Sequence, residues 1–415
     1  MEKNPNLSRG LDYYKLTMGQ VAFEQQPEAE VTFTLKNRNT TQPLSEYVSP
    51  EALTGRLDAI RQQGFTPEEI AYYAGLQAQD GQARFTAEYL DHLADLILPD
   101  VNVSLNPDTK DLSVSTTGPW PDVSLWETVI MSEVNEEYYA ELLESNGLTL
   151  QDLYDEGDRR LSQKIARLQQ RPDIQFSDFG TRRRFSADWH EHVVARLKAE
   201  VPANFIGTSN PWFAYKYDLQ PIGTFAHEMP MVYAALADNA GNDPLSGHAQ
   251  MLDEWYQRYG EDLSIALTDT FGTDFFFSDF SPEQAKQWRG LRHDSGDPIL
   301  FGENVLNFYA NLGIDPLTKT IVFSDGLDIA MIEKLADHFG GKIKIMFGWG
   351  TSLMNDLGLP ANNFVAKATC VNGMPTVKLS DSEGKHTGPE VKVIQYQQAK
   401  MHYRGALAVR QLVTV

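Results

Sequence analysis

Seven short apolar runs constrain this fold more than any other feature of the chain. Each ends on a polar or glycine residue, and most are followed by a stretch with helical periodicity. They are IQF before Asp178, ANFIG before Thr208, PIG before Thr224 and His227, LSIALT before Asp269, GLR before His293-Asp294, TIVF before Ser324-Asp325, and IKIMF before Gly348-Trp349-Gly350-Thr351. A buried strand, a functional residue at its end and then a helix, repeated, is the rhythm of a βα-barrel. In that fold the loops at the C-terminal strand ends converge on one face. The expected class is α/β, with carboxylates, a histidine, arginines and glycine-lined backbone gathered at one mouth.

The flanking segments have a different rhythm. Residues 8–26 show helical spacing, VTFTLKNR at 31–38 alternates like a strand, and residues 50–98 read as helices. Thr66-Pro67-Glu68-Glu69 is a helix start with proline in the first turn. VNVSLNPDTKDLSVSTTGPWP predicts a hairpin around Asn-Pro-Asp. Long helices begin near Leu125, and the strand-then-helix rhythm runs from about 172 to 357. FVAKATCVNGMPTVKLSDSEGK and VKVIQYQ then alternate like a β-meander. The expected division is 1–124 and 358–415 as two parts of one discontinuous α+β sandwich domain, with a barrel domain of 125–357 inserted between them.

With 415 residues and 42% hydrophobic content, the chain can bury a large core and form two or three domains. Its net charge of -22 and pI near 4.8 argue against nucleic acid or anionic membrane as general partners. The single cysteine, Cys370, lies in an alternating strand-like segment and cannot form an intramolecular disulfide. MEKNPNLSRG carries no apolar core of a secretory signal, and no run has transmembrane length. A soluble, cytoplasmic protein is expected.

In so acidic a chain the cluster Arg182-Arg183-Arg184, just after a predicted strand and Gly180, stands out. Arginine forks bind two oxygens of a phosphate or carboxylate at once. A solvated helix start with one structural ion pair is the competing reading. Two Gly-Thr pairs, Gly207-Thr208 and Gly223-Thr224, let backbone amides approach an anion at two strand ends. His227 follows the second pair. Neighbouring barrel strands would set it beside Asp269, where a carboxylate on one imidazole nitrogen makes the other more nucleophilic. No serine or cysteine nucleophile motif accompanies the pair. Asp294 and Asp297 bracket Ser-Gly in a tight loop suited to ribose hydroxyls or a diphosphate-bound magnesium ion. Ser324-Asp325-Gly326 and Gly348-Trp349-Gly350-Thr351 complete the ring, as glycine-lined loops that bind phosphate through backbone amides.

The motifs DYYKLTM, DFGTRRRFS, GTSN, PIGT-x-AHE, GLRHDSGDP, FSDGLD, FG-x-GT and KLSDS-x-GK occur in this order over nearly the whole chain. Together they resemble the nicotinate phosphoribosyltransferase family, type II phosphoribosyltransferases. The resemblance implies an irregular, seven-stranded TIM-like barrel with a sandwich domain, and a homodimer whose active sites are shared between subunits. It also implies roles. Tyr14 would reach the neighbouring subunit's site and stack on a pyridine ring, with Phe179 as the opposite wall. Arg292 would lie by the ring and its carboxylate, Arg182 near the phosphates and Asp294 on the ribose, with Thr208, Ser209, Asp325 and Thr351 among the substrate contacts. Gly326, Gly348 and Gly350 would cradle the 5′-phosphate. His227 would be phosphorylated by ATP and paired with Asp269. ATP is then a co-substrate, and Mg2+ arrives on ATP and on phosphoribosyl pyrophosphate, with no metal held by the protein itself.

Two positions depart from the family pattern: Gly10 stands where many members have aspartate, and Met229 where they have tryptophan, which places a change at the expected pocket rim near Pro230. The main alternative is the nicotinamide-specific relative, which carries aspartate at the position of Ser209; that aspartate would accept from an amide NH2 and repel a carboxylate, so serine here favours nicotinate. A βα-barrel lyase would need a Schiff-base lysine, for which Lys367 is placed. A non-catalytic metabolite-binding protein would have no use for a His227–Asp269 pair.

Overall fold

The computed structural model describes residues 6–38, 44–109, 111–382 and 386–403. Outside them lie Gly384-Lys385 of the KLSDS-x-GK motif, residues 404–415 of the expected C-terminal segment, and residues 1–5 of the stretch read for a secretory signal.

Twelve strands are described. β1 (Glu30–Asn37), β2 (Val101–Leu105) and β3 (Leu112–Pro119) come first. β4 (Phe176–Asp178), β5 (Phe205–Thr208), β6 (Gln220–Pro221), β7 (Ile265–Leu267), β8 (Gly290–His293), β9 (Thr320–Phe323) and β10 (Lys344–Trp349) match the seven apolar runs. β11 (Phe364–Val371) and β12 (Met374–Pro375) follow. β4, β5 and β6 pair in parallel, as do β7 to β10, and the sheet order is β6-β5-β4-β10-β9-β8-β7. The five remaining strands form a separate sheet, β12-β11-β1-β3-β2, whose β1–β3, β2–β3 and β11–β12 pairings are antiparallel. This is the expected α/β class: a seven-stranded βα-barrel sheet and an α+β part drawn from both ends of the chain.

The parallel strands read as continuous apolar runs because they are buried on both faces. Ala266, Leu267, Leu291, Ile321, Val322, Phe323 and Phe347 are all buried, and Phe323 stacks on Phe339 and Phe347. Helices follow the strands, among them Ala187–Glu200 after β4, Pro298–Asn311 after β8 and Ile329–Phe339 after β9. The chain forms two compact units: residues 1–223 with 349–367, and residues 224–348 with 368–415. No described helix is long and apolar enough to cross a membrane.

Thr66 forms a complete capping box with Glu69, as its sequence suggests. One expectation fails. VKVIQYQ belongs to a helix, Glu390–His402, rather than to a meander. Its Val391 is exposed, while Val393 and Tyr396, three residues apart, are buried against Phe271, Phe275 and Val377. The alternation of valines resembled a strand, but burial follows the helical interval.

Candidate active site

Strand register brings together the ionisable residues of the second unit. Leu267 of β7 pairs with Arg292 of β8, and His293 pairs with Phe323 of β9. Asp269 and Asp294 each lie two residues past a paired position, and Ser324 lies one past, so all three emerge side by side. His227 stands immediately before the helix Glu228–Asn239. Its Nε2 lies 2.9 Å from Asp294 Oδ2 and 3.6 Å from Asp269 Oδ1, and its Nδ1 lies 2.9 Å from Thr270 Oγ1. The closer carboxylate is therefore Asp294, where the sequence pointed to Asp269.

Lys378 completes the cluster. Its Nζ lies 2.9 Å from His227 Nε2 and 3.0 Å from Asp269 Oδ2. Ser295 donates to Asp269 Oδ2 at 2.6 Å, and Ser324 donates to Asp294 Oδ1 at 2.9 Å. The segment carrying Lys378 is fastened to the loop after β7 by Leu379 N donating to Thr270 O at 2.8 Å. It then passes through Ser380, whose φ of 65° lies in the left-handed region that a serine seldom adopts. Backbone strain of this kind gathers at functional sites.

The electrostatics follow from burial and charge. Burial first, then the Lys378 charge, lowers the His227 pKa from its ordinary value, with Asp269 and Asp294 pulling the other way. Burial would raise Asp294, but the His227 hydrogen bond and the Arg292 charge hold it well below the usual carboxylate range. Burial opposes Asp269 too, and the neighbouring His227, in its protonated form, and Lys378 outweigh it. The cluster thus holds two carboxylates, one ammonium and a neutral ring. A neutral ring carries one proton and one lone pair: Nε2 faces both the Asp294 carboxylate, which only accepts, and the Lys378 ammonium, which only donates, while Nδ1 faces the Thr270 hydroxyl, which can do either.

His227, Asp269 and Asp294 are also donors of a kind that binds a divalent ion, with ligand atoms within 4.8 Å of one another. The Lys378 ammonium already contacts two of the three. A metal would have to displace a cation that the fold supplies, so this donor set does not suit a resident ion.

Elsewhere in this unit, Arg292 donates to Phe225 O at 3.2 Å. Gly326 is exposed with φ +64°, three residues before the helix Ile329–Phe339, which is capped by Asp328. Gly348 is buried in β10, while Asp325 is half-buried. Met229 is fully buried and Pro230 is buried beside it, so the substitution expected at a pocket rim falls in the core.

The first unit holds the other expected residues. Asp178, at the end of β4, is fully buried and links three segments. Its Oδ1 accepts from Gly180 N at 2.7 Å, and its Oδ2 meets Thr208 Oγ1 and His190 Nε2, each at 2.6 Å. Burial opposes ionisation there, but His190, Thr208 and the Gly180 amide lower the pKa overall. Thr208, expected to touch substrate, is fully buried and spends its hydroxyl on Asp178. Phe179 and Arg182 are half-buried on the loop that Asp178 anchors.

The three arginines divide their work. Arg184 is fully buried on Glu136 at 2.9 Å, Arg183 donates to Phe364 O, and Arg182 stands 3.6 Å from Glu127 with 40% of its side chain exposed. Ser209 donates to Asp12 Oδ1 at 2.6 Å. Tyr14 is 9% exposed, within the helix Tyr13–Gln25. Gly350 packs against Phe179 O, and Thr351 opens a helix of only four residues, Thr351–Met354, too short to lend a helix dipole to a phosphate. Gly10 lies against Val129 and Ser132, where a side chain would crowd the helix Trp126–Asn146.

Sequence reasoning missed Lys378, Thr270 and Asp12. Lys378 was in plain view within KLSDS, but the alternation around it read as strand. Lys367, the candidate Schiff-base lysine, lies in antiparallel β11 and not at the end of a parallel strand.

The fold and site together define an α/β enzyme whose histidine and two carboxylates lie past the ends of parallel strands, with a lysine brought to them from a separate segment. The chain belongs to the nicotinate phosphoribosyltransferase (NAPRTase) family: the family model matches residues 174–405, and the model of that family's N-terminal domain matches residues 11–135. Among solved structures it is similar to nicotinate phosphoribosyltransferase from Porphyromonas gingivalis, with 30% identity, a TM-score of 0.85 and coverage of 95% of this chain and 99% of that one. It is similar also to the Vibrio cholerae enzyme, at 31% identity, TM-score 0.78 and coverage of 98% and 96%. A putative nicotinate phosphoribosyltransferase of Saccharomyces cerevisiae shares 25% identity and a TM-score of 0.82 over 97% of this chain and 100% of that one.

Proposed function

We propose that this chain is a cytoplasmic enzyme of NAD biosynthesis that transfers phosphoribosyl from phosphoribosyl pyrophosphate to nicotinate, coupled to ATP hydrolysis through a phosphohistidine at His227. The observation that carries the reading is the His227 cluster. A neutral imidazole held between an ionised carboxylate and an ammonium is built for nucleophilic attack. The ring nitrogen that carries no proton attacks the terminal phosphorus of ATP with its lone pair, the bond from that phosphorus to ADP breaks and ADP leaves, and the carboxylates beside the ring balance the imidazolium charge that results. Lys378 then faces the new phosphoryl charge.

In the transfer itself, the ring nitrogen of nicotinate bonds to the anomeric carbon as the bond to pyrophosphate breaks, through an oxocarbenium-like state. Arg292 and Asp294 position the reactants. Magnesium arriving on the pyrophosphate neutralises the leaving group. Water then hydrolyses the phosphohistidine, which favours product.

Incubation with nicotinate and phosphoribosyl pyrophosphate should yield nicotinate mononucleotide and pyrophosphate, with more product when ATP is present. γ-Labelled ATP should leave an acid-labile, base-stable phosphate on His227. His227→Ala should abolish nicotinate-dependent ATP hydrolysis but keep some ATP-independent synthesis. Label on serine, or no label, would rule out the phosphohistidine.

The nicotinamide-specific reading retains one supporting observation. The Ser209 proton points at Asp12, which leaves only acceptor lone pairs for a ligand, and an amide NH2 suits those better than a carboxylate does.

A further inference from the structure

We propose that Asp12 is a specificity-determining positioning residue: its protonation state turns the Ser209 hydroxyl toward or away from the substituent on the pyridine ring. The inference rests on the reading above, in which Ser209 faces that substituent. The heavy atoms of the pair are pinned. Ser209 N donates to Asp178 O at 2.8 Å, and Tyr13 N donates to Ser209 O at 2.6 Å. Asn210 Nδ2 donates to Leu11 O at 3.1 Å, which fastens the chain just before Asp12 to the same strand end. Asp12 and Ser209 are each 3% exposed, so water does not readily replace either partner. Within this frame, the adjustable element is the placement of hydrogens along the 2.6 Å line from Ser209 Oγ to Asp12 Oδ1.

Two arrangements fit that line. With Asp12 ionised, the serine proton is spent on the carboxylate, and Ser209 offers a ligand only lone pairs. With Asp12 neutral, the carboxyl O–H donates to Ser209 Oγ, and the serine proton is released to meet a pyridine carboxylate. The first arrangement suits an amide and the second an acid. Serine alone therefore does not select the acid; serine backed by a protonated carboxyl does.

Several charged and polar groups face Asp12. Burial raises its pKa and the Asp178 charge adds to that, while hydrogen bonds from Ser209 and Thr181 and the Arg182 charge oppose. The net displacement is upward, which brings the neutral form within reach of a ligand that demands it. A bound anion nearby favours it further.

Nicotinate binding should then take up one proton from solvent wherever Asp12 is ionised in the free enzyme. The test is calorimetric titration of the full-length protein with nicotinate in two buffers of different ionisation enthalpy, together with the pH dependence of KM. The expected results are an uptake approaching one proton and a nicotinate KM that rises with pH toward about tenfold per unit. Asp12→Asn can donate to Ser209 through its amide without titrating. It should bind nicotinate with no proton uptake and a flat KM, the change falling in KM rather than kcat. Asp12→Ala, which can do neither, should weaken nicotinate by about tenfold or more. Nicotinate binding without uptake in the wild-type protein, or Asp12→Asn as weak as Asp12→Ala, overturns the inference and leaves the functional reading standing. No nicotinate binding and no nicotinate mononucleotide overturns both.

Discussion

At the scale of residues, three groups compete for one nitrogen of His227. Asp294 and Lys378 each stand at 2.9 Å and Asp269 at 3.6 Å, so the ring is balanced between opposite charges. Burial and Lys378 together decide for the neutral ring. Replacing Lys378 with methionine removes a like charge and should raise the His227 pKa, as read from an NMR titration of the imidazole. An unchanged value would mean that the ammonium does not stand beside the ring. A linked effect on stability follows. The folded pKa of His227 lies below the unfolded value of about 6.5, so the unfolded chain binds the proton first as pH falls. The contribution is fully present above about pH 6.5 and is lost as pH drops through the folded value. His227→Asn should lessen the difference between urea midpoints measured at about pH 7 and about pH 5.

At the scale of elements, glycines show where the packing leaves no room. A Cβ on Gly290 of β8 would run into the carbonyl of Thr320, and that neighbour is backbone, which cannot swing aside. Gly290→Ala should cost about 1–3 kcal/mol or more by denaturant unfolding. Gly55 provides the contrast, since it lies exposed in the helix Pro50–Gln63 with nothing near its would-be Cβ. Gly55→Ala should stabilise by about 0.5–1 kcal/mol. Equal effects at the two positions would contradict the close approach of β8 and β9. The strands of the barrel sheet were readable because each is a short apolar run closed by turn chemistry. The helix Glu390–His402 was not, because Val391, Val393 and Gln395 alternate, and only the burial of Val393 with Tyr396 decides its period.

At the scale of the whole molecule, both ends of the chain enter one sheet, with β11 and β12 from the C-terminal part and β1 to β3 from the N-terminal part. We propose a two-fold dimer that shares its sites. Tyr14→Ala and Arg292→Ala should each be nearly inactive alone and should recover on co-refolding. A random mixture holds about half mixed dimers, and half of their sites carry neither change, so about a quarter of wild-type activity is expected. Tyr14 is buried within its own protomer, which makes this a demanding test. No recovery, with subunit exchange demonstrated, would place the tyrosine's function in its own chain.

The sequence by itself determined the class of fold, the order of the strands along the chain and the residues at their ends. These depend on local apolar period and on turn residues, which are properties of neighbours in the chain. The tertiary structure alone decided that Asp294 stands closer to His227 than Asp269 does. It also brought Lys378 onto the histidine from 151 positions away and spent the Ser209 proton on Asp12, 197 positions distant. Each of these depends on strand register and on the path of a distant segment. A shift of a few ångströms there reassigns a hydrogen bond without changing any local pattern.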